Sequence, residues 1–271
     1  MLRAGIVNFI NTAPVFEPFK ASGGVAGWEI VEGSPSELNS LLRKGNLDAG
    51  LISSFAYGLR HNDYLLFPDL CISATGPVGS VLLFSRTPIN KLDGKKIYLT
   101  CQSATSINLL HVILEHFSGM RPEYETGNFD SFDADANISA YLAIGDEALR
   151  LRDMETGLHM YDLAEIWIRE TGLPFVFAVW AVRKKSWEKN MEMIRRLHAH
   201  LNLCLQKGRN NLEEISASVA GRIPMSVSDC TAYLRGIELD LSPEKEKGLM
   251  EFFRLVGKIR HFPEITEILK V

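Results

Sequence analysis

Two matching apolar runs constrain this chain more than any other feature. The first is Gly76-Pro77-Val78-Gly79-Ser80-Val81-Leu82-Leu83-Phe84-Ser85-Arg86. Its glycines and proline bend and stiffen a loop, and Ser80 stands at the mouth of the apolar part. The second is Leu173-Pro174-Phe175-Val176-Phe177-Ala178-Val179-Trp180-Ala181-Val182-Arg183. Each reads as a strand crossing between lobes, with Ser80 facing the cleft. Two crossing strands with a self-contained stretch between them describe a two-lobed binder. The expected division is a first lobe over 1–87, a second over 88–174, and a return to the first over 175–271.

A chain of 271 residues is long enough for two modest cores. The net charge of −4 comes without a Lys/Arg block, so a nucleic-acid partner is not expected. No apolar run is long enough to span a membrane. The N-terminal stretch Met1-Leu2-Arg3-Ala4-Gly5-Ile6-Val7 enters a strand almost at once and lacks the pattern of a secretory signal. With Cys71, Cys101, Cys204 and Cys230 read as reduced, mostly buried thiols, this gives the expectation of a cytoplasmic protein.

Strand ends followed by helix starts mark the candidate site, because ligands of open α/β sheets sit at the carboxyl ends of strands. Gly5–Phe9 reads as a core strand that runs into Asn11 and Thr12. Asn11 either caps the following helix, holds the turn, or meets a ligand. Ser34-Pro35-Ser36-Glu37 is a capping-box helix start, and Gly45 ends that helix. Leu47–Ile52 is the next strand and ends in Ser53-Ser54. Leu65–Phe67 and Leu70–Ser73 read as two further strands.

In the second lobe, a strand over 95–100 leads to Ser103, Thr105 and Ser106 at the start of an amphipathic helix. Four N–H groups lack intrahelical partners there, which makes this the best anion-binding candidate. Ala140–Ile144 is a strand closed by Gly145 and Asp146. Gly145 lets backbone approach the cleft. Asp146 either complements a helix N-terminus or takes part in the site. Asp162 caps a helix ending at Gly172. The C-terminal block reads as helices over 187–205, 212–219, 228–235 and 242–259. Trp187, Met191, Ile194, Leu197, Leu201 and Leu205 form a buried stripe on the first of them.

No glycine-rich phosphate loop and no G-x-S-x-G elbow occurs. The His111/His116 and His198/His200 pairs have the wrong spacing for a shared helical face. Neither a metal nor a cofactor is expected. The residues alone therefore point to a two-lobed site for a small carboxylate, with catalysis left open.

Several stretches taken together are more specific. They are Asn8-Phe9-Ile10-Asn11-Thr12, Pro35-Ser36-Glu37-Leu38-Asn39, Leu51-Ile52-Ser53-Ser54 and Asp63-Tyr64-Leu65-Leu66. The run from Gly76 to Ser85 belongs with them, as do Ser103-Ala104-Thr105-Ser106, Ile144-Gly145-Asp146-Glu147-Ala148-Leu149 and Thr171–Trp180. With these stretches the chain resembles the MqnA/MqnD family of menaquinone biosynthesis, and within it the chorismate dehydratase branch. The resemblance implies an α/β, two-lobed type II periplasmic-binding-protein-like fold with two crossing strands and a central cleft. It implies elimination of water from chorismate to give 3-[(1-carboxyvinyl)oxy]benzoate in the futalosine pathway.

The family's catalytic asparagine and serine fall on Asn11 and Ser80. The expected substrate contacts are Thr12, Ser53, Ser54, Ser103, Thr105, Ser106, Gly145 and Asp146. The partner would be the small anion chorismate, and the protein a monomer or homodimer. The sister 1,4-dihydroxy-6-naphthoate synthase branch typically carries a histidine where this chain has Ile144-Gly145-Asp146-Glu147, which counts against that activity. A non-catalytic binder of small carboxylates is the remaining alternative. A regulator's effector module is disfavoured, since the sensor-like strand begins within the first residues.

Overall fold

The computed structural model describes residues 1–154 and 157–271. The chain opens with β1 (Leu2–Val7), a 3-10 turn at Ile10–Thr12 and α1 (Ala13–Ala21). Then come β2 (Trp28–Gly33), α2 (Pro35–Lys44), β3 (Ala49–Ser53), α3 (Ser54–Leu59) and β4 (Tyr64–Ala74). The second lobe holds β5 (Val81–Ser85), β6 (Lys96–Leu99), α4 (Ala104–His111), β7 (Glu123–Thr126) and α5 (Phe129–Ala134). It continues with β8 (Ile138–Ile144), α6 (Gly145–Arg152), β9 (His159–Asp162) and α7 (Leu163–Thr171). The chain returns through β10 (Phe175–Arg183) to α8 (Lys184–Asn210), α9 (Leu212–Val219), α10 (Val227–Gly236) and α11 (Pro243–Ile259).

Two five-stranded sheets share one plan. The first runs β2-β1-β3-β10-β4 and the second β7-β6-β8-β5-β9. In the first, β1 pairs in parallel with β2 and β3, and β10 lies antiparallel between β3 and β4. In the second, β6 pairs in parallel with β7 and β8, and β5 lies antiparallel between β8 and β9. The antiparallel strand of each sheet is therefore the one whose chain has just arrived from the other lobe. This is a two-lobed, periplasmic-binding-protein-like α/β fold.

The crossing point differs from the expected boundary at residue 87. Strand β5 pairs wholly within the second sheet, so the chain changes lobes over Thr75–Ser80, directly after β4. The apolar run after Ser80 looked like the crossing itself. Its apolarity instead reflects burial on both faces. Val81 and Leu83 join the main core, while Leu82 and Phe84 join a smaller one with Phe132, Ile138 and Tyr141.

Local signals explain most element ends. Ser34 and Glu37 close a reciprocal capping box on α2, and Gly45 takes the left-handed conformation at its end. Asp162 caps α7 by accepting from Ala164 and Glu165, and Gly172 closes it. The two expected strands over 65–73 are one strand, β4. Its ladder to β10 skips residues 67–70 between Val179 and Ala181, around Pro68, which has no N–H to donate. The C-terminal tail covers this edge, with Leu66 N–H donating to Leu269 and Val271 N–H to Leu66. Helix α8 breaks helical geometry at Asn190. That shifts the phase of its stripe: Ile194, Leu197, Leu201 and Leu205 are buried, but Met191 is exposed. Strands β7 and β9 carry no clear apolar pattern, and the sequence reading missed both. Cys71, Cys204 and Cys230 are buried free thiols, and Cys101 is an exposed one.

Candidate functional site

The parallel strands of both sheets deliver their carboxyl ends to one cleft. Strand β1 runs into Asn11, β3 into Ser53, β6 into Ser103 and β8 into Gly145, while Ser80 precedes β5. The lobes close on a narrow cavity of about 50 Å³. Asn11, Ser53, Ser80, Ser103 and Ser106 supply its polar side chains. Val7, Phe9, Ile72, Val78, Val81, Ile144 and Phe177 supply apolar walls. Among the described residues, no side chain that lines it is ionisable. Helices α3, α4 and α6 all begin at this cleft, so their positive dipole ends face it.

Asn11 does not cap a helix. It sits in the 3-10 turn, and α1 begins without a side-chain cap. Asn11 is 9 % exposed, and among the described residues its Oδ1 has no hydrogen-bond partner. A buried acceptor in that state costs free energy unless a donor arrives. Ser80 is 2 % exposed, and its Oγ accepts a 2.9 Å hydrogen bond from the Tyr233 hydroxyl on α10. Burial pushes the Tyr233 phenol up, so it stays protonated and able to donate. With that lone pair occupied, the Ser80 hydroxyl is free to donate elsewhere. Its carbonyl accepts from Gly145 N–H at 2.8 Å, which joins the Ser80 loop to the start of α6.

The other expected contacts divide. Ser53 and Ser103 line the cleft while capping α3 and α4, accepting from Ala56 N–H at 3.3 Å and Ser106 N–H at 3.2 Å. Ser53 Oγ also accepts from Asn39 at 3.0 Å, and the Ser103 and Ser106 hydroxyls are 3.1 Å apart. Gly145 lines the cleft with φ of 57°, and a Cβ there would lie 2.7 Å from the Phe9 ring. Four residues use their side chains on protein groups. Thr12 Oγ1 donates to the Val7 and Phe9 carbonyls, each at 2.8 Å, and Ser54 Oγ to the Val176 carbonyl at 2.7 Å. Thr105 Oγ1 accepts from Phe55 N–H across the lobes at 3.0 Å. Asp146 Oδ1 accepts from Ile10 N–H, also across the lobes, at 2.9 Å. Burial pushes the Asp146 carboxyl up, although the Ile10 N–H and the charges of Arg150 and Arg222 oppose the shift.

Tyr233 was invisible to sequence reasoning. It lies 153 residues from Ser80 on a helix that reads only as part of a covering block. Asp162 was seen only as a cap. Its second oxygen also accepts from Gly79 N–H at 2.6 Å and so fixes the loop that presents Ser80. Among the described residues, no group of three or more His, Cys, Asp or Glu is placed to hold a metal ion.

The sequence model of a family described as menaquinone biosynthesis matches residues 2–258. The chain belongs to that family. Within it, a chorismate dehydratase of Thermus thermophilus is 31% identical over 270 residues, covering 93% of this chain and 94% of its own. A chorismate dehydratase of Campylobacter jejuni is 30% identical over 192 residues, covering 69% of this chain and 70% of its own. Among solved structures, an Archaeoglobus fulgidus protein superposes with a TM-score of 0.75 at 18% identity, covering 95% of this chain and 97% of its own. The periplasmic aliphatic sulphonate binding protein SsuA of Escherichia coli does so with a TM-score of 0.69 at 16% identity, covering 99% and 96%. At such identities these likenesses speak for the fold alone.

Proposed function

We propose that the chain is a chorismate dehydratase that converts chorismate to 3-[(1-carboxyvinyl)oxy]benzoate and water. The observation that carries this reading is the meeting of Asn11 and Ser80 in one cleft, in a chain similar over nearly its whole length to a chorismate dehydratase. Chorismate would lose the proton at ring C3 and the hydroxyl at C4. The C3–H electron pair becomes the new ring double bond to C4. The C4–O pair leaves with oxygen, which takes a proton and departs as water. The ring becomes aromatic, and this supplies much of the driving force.

The site suits these needs without a charged side chain. The unpaired Asn11 Oδ1 would accept from the C4 hydroxyl, and its amide N–H₂ would donate to that oxygen as it departs. The Ser80 hydroxyl would donate to the enolpyruvyl carboxylate and orient it over C3–H, where it acts as the base. The N-terminal ends of α3 and α4, with the Ser103 and Ser106 hydroxyls, would hold the ring carboxylate. Phe9 and Phe177 would wall the ring and exclude water.

Purified protein incubated with chorismate, followed by chromatography of the products, tests the reading. The expected result is the aromatic enolpyruvyl ether, formed without added metal or coenzyme. Unchanged chorismate, alongside turnover of the cyclised dehypoxanthine futalosine product, would assign the sister activity instead.

A further inference from the structure

The hydrogen bonds of Tyr233 and Asp146 follow a common pattern. Asn11 follows β1 in the first lobe, and the N–H just before it, on Ile10, is held by Asp146 from the second lobe. Ser80 opens β5 in the second lobe, and its hydroxyl is held by Tyr233 from the helical block on the first lobe. That block is anchored to the first lobe through Ser73 N–H, which donates to the Glu238 carbonyl just past α10. The Gly145 N–H bond to the Ser80 carbonyl makes the two clasps continuous. The path runs Tyr233, Ser80, Gly145, Asp146, Ile10, Asn11.

We propose that Tyr233 and Asp146 are positioning residues that clasp the lobes reciprocally, Tyr233 holding the Ser80 hydroxyl and Asp146 the backbone just before Asn11, each from the opposite lobe. The arrangement has a mechanical consequence. When the lobes part, Ser80 loses the donor that directs its hydroxyl, and the Asn11 turn loses the acceptor that holds its backbone. Neither residue is then preset, so the site is assembled only in the closed form and cannot run its chemistry while open to water. Phe9 packed on Gly145 has the same dependence, because the close approach exists only when the lobes meet.

The activity part of this inference rests on the dehydratase reading, while the closure part stands without it. The test compares wild type with Y233F, D146A, D146N and the Y233F/D146A double variant. Small-angle X-ray scattering of the unliganded proteins reads closure, and chorismate turnover reads positioning. Removing one such bond is expected to lower kcat about tenfold, with circular dichroism unchanged. The double variant should scatter as a more extended particle. D146N keeps an acceptor for the Ile10 N–H and should recover most of what D146A loses, in both readouts. A double variant that scatters like wild type and keeps its kcat would overturn the clasp. Equal losses in D146N and D146A would overturn the role given to Asp146. If wild type does not turn over chorismate, the dehydratase reading falls, and scattering still decides the clasp.

Discussion

Asn11 and Ser80 are both almost fully buried, yet each is left with unused hydrogen-bonding capacity toward the cleft. Loss of a preset donor at a reacting centre typically raises the barrier by about 3–4 kcal/mol. Asn11→Ala and Ser80→Ala should each therefore cut kcat by that measure, with circular dichroism and thermal midpoint retained. Near-normal turnover in both would refute their roles. Ser106→Ala removes one of two neighbouring hydroxyls at the start of α4, and should raise KM with a smaller effect on kcat. Initial-rate kinetics over a range of chorismate concentrations separates these outcomes. Strand-end position was enough to place Asn11, Ser53, Ser103 and Gly145 on the cleft wall from sequence. It was not enough to separate them from Thr12, Ser54 and Thr105, which share the same ends but bond protein groups. That distinction depends on which way a hydroxyl turns, and neighbours distant in sequence decide it: Val176 for Ser54 and Phe55 for Thr105.

Elements with strong local grammar were legible. The capping box of α2, the Asp162 cap of α7 and the Pro243 start of α11 each follow from a few adjacent residues. Strands β7 and β9 were not, because their exposure leaves no alternation to read. The union of two expected strands into β4 was also hidden, since a bulge keeps pairing on both sides of Pro68. Helix α11 offers a paired test of close packing. A Cβ on Gly248 would lie 2.0 Å from the Pro174 carbonyl oxygen beside the return crossing, whereas one on Gly257 meets nothing within 4 Å. Gly248→Ala should destabilise by about 1–3 kcal/mol through overpacking. Gly257→Ala should stabilise by up to about 1 kcal/mol through helix propensity. Urea denaturation midpoints moving in opposite directions would support this packing; a shared direction would refute it.

At the scale of the whole molecule, the lobes also meet behind the cleft. His111 on α4 contacts the Arg260 guanidinium beyond α11, stacks on Tyr124 with ring centroids 4.2 Å apart, and lies 3.6 Å from Glu115. Burial, then the Arg260 charge, pushes the His111 imidazole down to about 3 from its ordinary 6.5. The unfolded chain therefore binds this proton first as pH falls. The neutral contact gives its full stability above about pH 6.5 and loses it progressively toward pH 3. Between pH 6.5 and 5 the loss from this residue is about 2 kcal/mol. Urea unfolding at pH 7 and pH 5 should show it, and His111→Asn should flatten that part of the slope. An equally steep slope in the variant would assign the acid sensitivity to other groups.

The two-lobed plan was legible because a long apolar strand follows each crossing. The place of the first crossing was not, because β5 is as apolar as a crossing strand would be. In the proposed reaction, one cleft between these lobes holds the reacting ring between Asn11 and Ser80. A crystal structure with 3-[(1-carboxyvinyl)oxy]benzoate bound tests it most directly. The product is expected between the closed lobes, with the Asn11 amide beside ring C4 and the Ser80 hydroxyl on the enolpyruvyl carboxylate. Product seated elsewhere, or in the cleft with neither residue touching it, would contradict it.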